Sequence, residues 1–253
     1  MKNESEAVQI NKYISSSGYC SRREADKYIE QGRVLLNNEL AVPTSKVFPG
    51  DWVTVDSERI KIKREQGIYI AFNKPIGITS TTDEKDKTNI IRFINHPKRI
   101  FPIGRLDKDS EGLILLTNDG DIVNKILRAG NEHEKEYIVT VNKAITPEFV
   151  KRMSSGVPVL GEKTKPCVVR QLGSRSFKII LTQGMNRQIR RMCDYLEYNV
   201  MTLKRIRVMN IALGNLPVGK WRNLSFTEAE EINRMVSGSV KTEEASVRNK
   251  KRK

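Results

Sequence analysis

Short apolar runs of strand type recur along most of the chain: IYIAF at 68–72, LILLT at 113–117, YIVTV at 137–141 and FKIIL at 177–181. Val, Ile, Leu and aromatic residues dominate them, the composition of strands that pack on a core. Helical patterns interleave at 88–95, 121–128, 146–153, 186–197 and 227–236. Strands and helices mix without a repeated βαβ unit, which argues against a doubly wound parallel sheet. The order predicts an α+β domain over 66–238, with a mainly antiparallel mixed sheet flanked by helices.

A smaller α/β module precedes it, over residues 1–65. Ser21 with Glu24 forms a capping-box signal for a helix that runs to about Gln31 and stops at Gly32. Ile10, Tyr13 and Ile14 predict a shorter helix before it, ended near Gly18. VLLNNELA then reads as a hairpin turning at Asn37-Asn38, and Pro49-Gly50-Asp51 turns the chain into the strand WVTV at 52–55. The last stretch, 239–253, is polar with six basic and two acidic residues, and is expected to be a disordered tail that adheres weakly to phosphates.

Charge narrows the partner. Lys and Arg number 45 against 30 Asp and Glu, a net charge of +15, which favours a polyanion. Residues 66–238 hold 28 basic and 18 acidic residues, whereas 1–65 hold 11 and 10. The small module is therefore almost neutral, and a polyanion-binding face on it requires segregated charge. No window approaches the ~18 apolar residues of a membrane span, and the N-terminal MKNESEAVQI has no apolar export core. Cys20, Cys167 and Cys193 read as reduced thiols of a cytoplasmic protein. There is no CxxC, HExxH, GxGxxG or P-loop signature, so neither a metal nor a nucleotide cofactor is expected.

The segment GRLDKDSEGLILLTNDGD at 104–121 is the most informative in the chain. It sets Asp107 in a charged loop before an apolar strand. Taken alone, a carboxylate there serves a turn or an ion pair more readily than a reaction. Further on, GMNRQIRRM at 184–192 opens a helix whose Ile189, Met192, Cys193 and Leu196 form a core stripe. Arg187, Arg190 and Arg191 share another face of it, either solvated or turned into a cleft.

The GRLD motif with its following strand, together with FNKPIGITSTT at 72–82, KEYIVTV at 135–141, GMNRQIRRM and LKRIRV at 203–208, resembles the pseudouridine synthases of the RsuA-like group, including its RluF branch. INKYISSSGYCSRREADKYIEQGRVLLN resembles the S4 RNA-binding domain. The resemblance spans residues 8 to 225 and implies isomerisation of uridine to pseudouridine in structured RNA. The details GRLDKDSEG, LRAGNEHEKEY and QGMNRQIRRMC point to 23S ribosomal RNA, with a tRNA as a further target. It implies Asp107 as the acid at the ribose, Arg190 as its basic partner and Tyr137 as the aromatic seat of the base. Leu203 lines the pocket, Arg105 enters or holds the RNA, and Lys74, Asn186 and Arg187 complete the substrate contacts. On the S4-like helix face Lys12, Arg22, Arg23, Lys27 and Arg33 are the RNA-binding candidates. The family prior is a monomer. The competing reading is a non-catalytic RNA-binding or ribosome-assembly factor on the same scaffold.

The chemistry accords with these residue types. The reaction breaks an N-glycosidic bond, turns the uracil and rejoins it through carbon, with no net redox change. It needs a charged acid beside the sugar, as nucleophile or as base, and a pocket that retains the detached ring. Burial alone would neutralise such an acid, so a nearby guanidinium is required.

Overall fold

The computed structural model describes residues 6–62, 67–127 and 132–238, and the expected basic tail at 239–253 lies outside them. The chain divides into two units, Met1–Gln66 and Gly67–Lys253.

In the first unit β1 (Val8–Gln9) leads into α1 (Ile10–Ser16) and then α2 (Arg22–Glu30). The capping box at Ser21 and Glu24 is formed in full. Next come β2 (Val34–Leu36), β3 (Glu39–Leu40), β4 (Lys46–Val47), β5 (Val53–Val55) and β6 (Glu58–Ile60). Four of these make an antiparallel sheet in the order β3-β2-β5-β6, while β1 pairs with β4. Asn37 and Asn38 both have positive φ, as a two-residue hairpin turn requires. Ile10, Ile14, Ala25, Ile29, Val34, Val53 and Val55 close a core of this unit's own.

The second unit contains, in order, β7 (Tyr69–Lys74), α3 (Ile90–Ile94), β8 (Phe101–Ile103), β9 (Glu111–Thr117), α4 (Gly120–Leu127) and β10 (Lys135–Val141). It continues with α5 (Pro147–Ser154), β11 (Pro158–Val159), β12 (Glu162–Lys163), β13 (Val168–Gly173) and β14 (Ser176–Leu181). It ends with α6 (Gln188–Tyr195), β15 (Val200–Val208), β16 (Ile211–Ala212), β17 (Trp221–Asn223) and α7 (Phe226–Val236). The main sheet runs β13-β14-β10-β15-β9-β7-β17, with β16 on β15 and β8 on β9. All its pairings are antiparallel except β9 with β15. The mixed α+β architecture is the one the sequence predicts.

Burial explains the strand patterns. β7 and β9 are covered on both faces, so they read as continuous apolar runs. Their Ile70, Phe72, Ile114 and Leu116 pack with α3 residues Ile90 and Ile94, while Ala71, Leu113 and Leu115 pack with Ile122, Ile126 and Ile232. β10 is buried on one face only and alternates strictly, turning Tyr137, Val139 and Val141 onto Phe149, Phe177 and Met192. α6 begins at Gln188, later than the expected 186, because Arg187 precedes it in the left-handed conformation (φ 51°).

The parallel seam between β9 and β15 joins only Lys204 to Glu111 and Arg205 to Gly112. Gly112 has φ +114°, and a Cβ there would lie 2.3 Å from the Arg205 carbonyl oxygen. Only glycine lets the two backbones approach this closely.

Candidate active site

A cleft of about 320 Å³ opens beside this seam, within the usual size range of small-molecule sites. The β8–β9 connection, 104–110, forms one wall and carries Arg105 and Asp107. The turn at 183–187 and the start of α6 form another, with Asn186, Arg187 and Arg190. Tyr137 of β10 and Leu203 of β15 line it from the sheet. Seven of the eight residues expected at the substrate thus meet in one cavity.

The Asp107 loop is pinned from several directions. Ser80 Oγ donates to the Leu106 carbonyl at 2.8 Å and accepts from the Leu106 N–H at 3.1 Å. The Gly77 N–H donates to the Lys108 carbonyl at 2.7 Å, and the Ser110 N–H to that of Asp107 at 3.0 Å. Arg190 Nη2 donates to the Asp109 carbonyl at 2.9 Å and to Ser110 Oγ at 3.2 Å. Asp107 itself stays 30% exposed, open to the cleft.

Two expectations need correction. Arg190 does not pair with Asp107; it grips the loop two and three residues further on. The cation nearest the acid is Arg187, with Nη1 3.8 Å from an Asp107 carboxylate oxygen. Arg187 also donates to both carboxylate oxygens of Asp109, at 3.2 and 3.1 Å. Burial opposes the charge of Asp109, but the Arg187 hydrogen bonds and the charges of Arg190 and Arg187 outweigh it and hold its carboxyl below the ordinary value. The second correction concerns Lys74, which lies outside the cleft lining. It is completely buried, and its Nζ donates to the Pro75 and Ile78 carbonyls, closing the turn after β7. Burial lowers its pKa to about 8 against the opposing charges of Asp107 and Asp109.

Arg105 is exposed on the cleft wall. The carboxylates that an ion pair would use are engaged elsewhere, Asp109 by Arg187 and Arg190, Glu111 by Lys204. Asn186 turns its carbonyl and side-chain oxygens to Arg191.

Sequence reasoning passed over several residues here. Ser80 and Ser110 hold the loop, and Gln188 accepts from the Met185 N–H at 3.0 Å to shape the turn before α6. Lys135 and Arg205 are buried cations that line the cleft. A period of two would have found both, since Lys135 precedes Tyr137 by two residues and Arg205 follows Leu203 by two.

In the small unit Arg22, Arg23 and Lys27 are exposed on α2, and Lys12 is half-buried on α1. Arg33 is committed within the unit: it forms a two-pronged ion pair with Asp56 and lies 4.1 Å over the Tyr28 ring.

A mainly antiparallel mixed sheet bearing a cleft with one acid, several cations and a strand tyrosine has the make-up of an enzyme acting on an anionic substrate. The chain belongs to the RNA pseudouridylate synthase family, which matches residues 68–195, and it carries an S4 domain matched at 9–53. Its relatives include the dual-specificity RNA pseudouridine synthase RluF of Escherichia coli K12, 55% identical over 92% of this chain and 81% of that protein. The ribosomal large subunit pseudouridine synthase B of Bacillus subtilis 168 is 32% identical over 88% of this chain and 95% of its own length. A pseudouridylate synthase crystal structure superposes with a TM-score of 0.66 at 28% identity, covering 89% of this chain and 99% of the other.

Proposed function

We propose that this RNA pseudouridine synthase performs its reaction in the cleft, with Asp107 as the acid at the ribose. One observation carries the reading: among the described residues, Asp107 is the only carboxylate in a lining that holds Arg105, Lys135, Arg187, Arg190 and Arg205. Attack at C1′ and removal of a ribose proton both call for a carboxylate, and five cations share the lining with this one. Arg187 supplies the nearest positive charge, and Arg190 fixes the loop. Tyr137 and Leu203 seat the extruded uracil between aromatic and apolar surfaces, a contact worth about 1–3 kcal/mol per base. Arg105 and Asn186, on the walls, hold the flanking RNA. Extruding a uridine costs a few kcal/mol, which these contacts offset.

The substrate is a uridine of large-subunit ribosomal RNA, 23S rRNA in a bacterium, with a tRNA as second target. One relative's name, ribosomal large subunit pseudouridine synthase, supports the first target, and another's, dual-specificity, supports there being a second. Residues 1–65 dock structured RNA through Arg22, Arg23 and Lys27 with Lys12, residues 66–238 carry out the isomerisation, and the basic 239–253 tail adds phosphate contacts. The proposed enzyme is a cytoplasmic monomer.

The test is Asp107→Asn with uridine-tritiated ribosomal RNA. Loss of tritium release from carbon 5, with RNA binding retained, is the expected outcome; wild-type release would end the assignment. Pseudouridine maps of cells with and without the protein identify the targets.

A further inference from the structure

Among the described residues, two cations at the cleft form no ion pair with an acidic side chain. Lys135 is 8% exposed and Arg205 4% exposed, and both line the cavity. Lys135 Nζ donates only to a neutral acceptor, the His133 carbonyl at 3.0 Å. Arg205 Nε donates to the Leu113 carbonyl at 2.6 Å and Nη1 reaches the Arg105 carbonyl at 3.4 Å. Its Nη2 is buried with no hydrogen-bond partner. No acidic side chain among the described residues pairs with either cation. Burying unpaired charge and an unused donor costs several kcal/mol. A folded enzyme retains such an arrangement where an anion or a strong acceptor comes to it.

Strand register fixes where that acceptor sits. Lys135 and Tyr137 alternate onto the buried face of β10. Arg205 stands directly opposite Tyr137, and Leu203 opposite Val139. The two cations therefore share a sheet face with the tyrosine and leucine of the proposed base seat, whereas Arg105 is exposed on the wall. On the walls Arg187 and Arg190 are engaged by the acid loop; the two cations on the sheet face the proposed base seat.

We propose that Arg205 and Lys135 hold the uracil ring while it is detached from the sugar, Arg205 Nη2 donating to a ring carbonyl oxygen and Lys135 offsetting the ring's negative charge. This rests on the cleft being the catalytic site. When the N1–C1′ bond breaks, its electron pair stays with the ring, whose charge spreads over N1 and the carbonyl oxygens. Asp107 meets the electron demand at the sugar. The ring turns, C5 bonds to C1′ as Asp107 leaves that carbon or returns the proton it took from the ribose, the C5 proton is lost and N1 is protonated. Between cleavage and rejoining the ring is an anion without a covalent tether, and two fixed cations keep it in place and lower the barrier to its departure.

The assignment is tested with Lys135→Met, Lys135→Arg and Arg205→Lys on two RNAs that differ at one atom, uridine or 5-fluorouridine at the target. Fluorine withdraws electrons and stabilises the departing anion by itself, so the enzyme's cations matter less. Lys135→Met is expected to slow single-turnover bond cleavage about 100-fold on uridine RNA and clearly less on fluorouridine RNA. Lys135→Arg should restore most of the rate, and Arg205→Lys should show the same leaving-group dependence. Equal slowing of both RNAs, or none, overturns the proposal, because misfolding or misalignment would not distinguish the leaving groups. Asp107→Asn run beside them separates the two layers: an active variant removes the site itself, whereas an inactive one with equal slowing removes only the role of the cations.

Discussion

Gly112→Ala puts the seam between β9 and β15 to a quantitative test. A Cβ at 112 would lie 2.3 Å from the Arg205 carbonyl oxygen and 2.7 Å from its nitrogen, and both are backbone atoms that no side-chain rotation can move aside. Restoring even a 3.0 Å separation requires β15 to retreat by about 0.7 Å. The alanine must also adopt φ near +114°, a conformation that costs about 1–3 kcal/mol, and overpacking adds about 1–3 kcal/mol more. For a domain of this size the sum corresponds to a fall in Tm of about 5–20 °C. The displaced strand carries Leu203 and Arg205, and a shift approaching an ångström costs about 100-fold in rate. Thermal unfolding followed by circular dichroism, with single-turnover conversion of ribosomal RNA at a temperature where the variant is folded, reads both quantities. Gly184→Ala is the control for stability, since nothing lies within 4 Å of its added Cβ. A Gly112→Ala protein with unchanged Tm and rate would refute the steric argument.

Arg190→Met should slow turnover by about 100-fold through release of the 107–110 loop. Arg187→Met removes an exposed pair worth under about 1 kcal/mol and should cost less than about fivefold; equal losses in single-turnover assays would contradict the division of roles. Burial, then the Arg205 charge, pushes the Lys135 pKa down to about 8 from 10.5, so the rate should fall as pH rises through about 8, and Lys135→Arg should flatten that limb. Stability should move the other way: between about 8 and 10.5 the unfolded chain binds the proton that folded Lys135 releases, so resistance to urea rises with pH there. Lys135→Met should lack that increment while Lys74, also lowered to about 8, retains its own. Replacing Arg22, Arg23 and Lys27 with Ala should weaken RNA binding and reduce its log–log salt slope by about 2, whereas Arg33→Ala, with its charge already matched by Asp56, should leave the slope unchanged in filter-binding titrations.

The sequence was most informative where burial is simple. LILLT and YIVTV declared their strands, one through a run covered on both faces and the other through alternation. β15, the strand that completes the site, went unrecognised as a nine-residue element because its lysine and arginines disguise it. Lys204 pairs with Glu111 at 2.8 Å, and Arg207 with Glu136 at 2.7 Å and Glu134 at 2.8 Å. These cross-strand pairs place charge in a strand without a hydrophobic signature. In the site, motif likeness brought Asp107, Tyr137 and Arg190 to one place. It did not foresee which arginine stands by the acid, because that depends on the left-handed turn at Arg187. Nor could one-dimensional spacing indicate that Ser80, more than twenty residues away in sequence, clamps both backbone groups of Leu106.

The Arg205 guanidinium also spans the narrowest join of the main sheet. With Nε on Leu113 and Nη1 on Arg105, it bolts the half carrying the acid to the half carrying the tyrosine. One side chain is thus both rivet and reagent, so selection on either duty alters the other. Paired substitutions at positions 107, 137 and 205 should therefore be strongly non-additive, and evolution along this scaffold has less freedom at that residue than at any of the arginines on the rim.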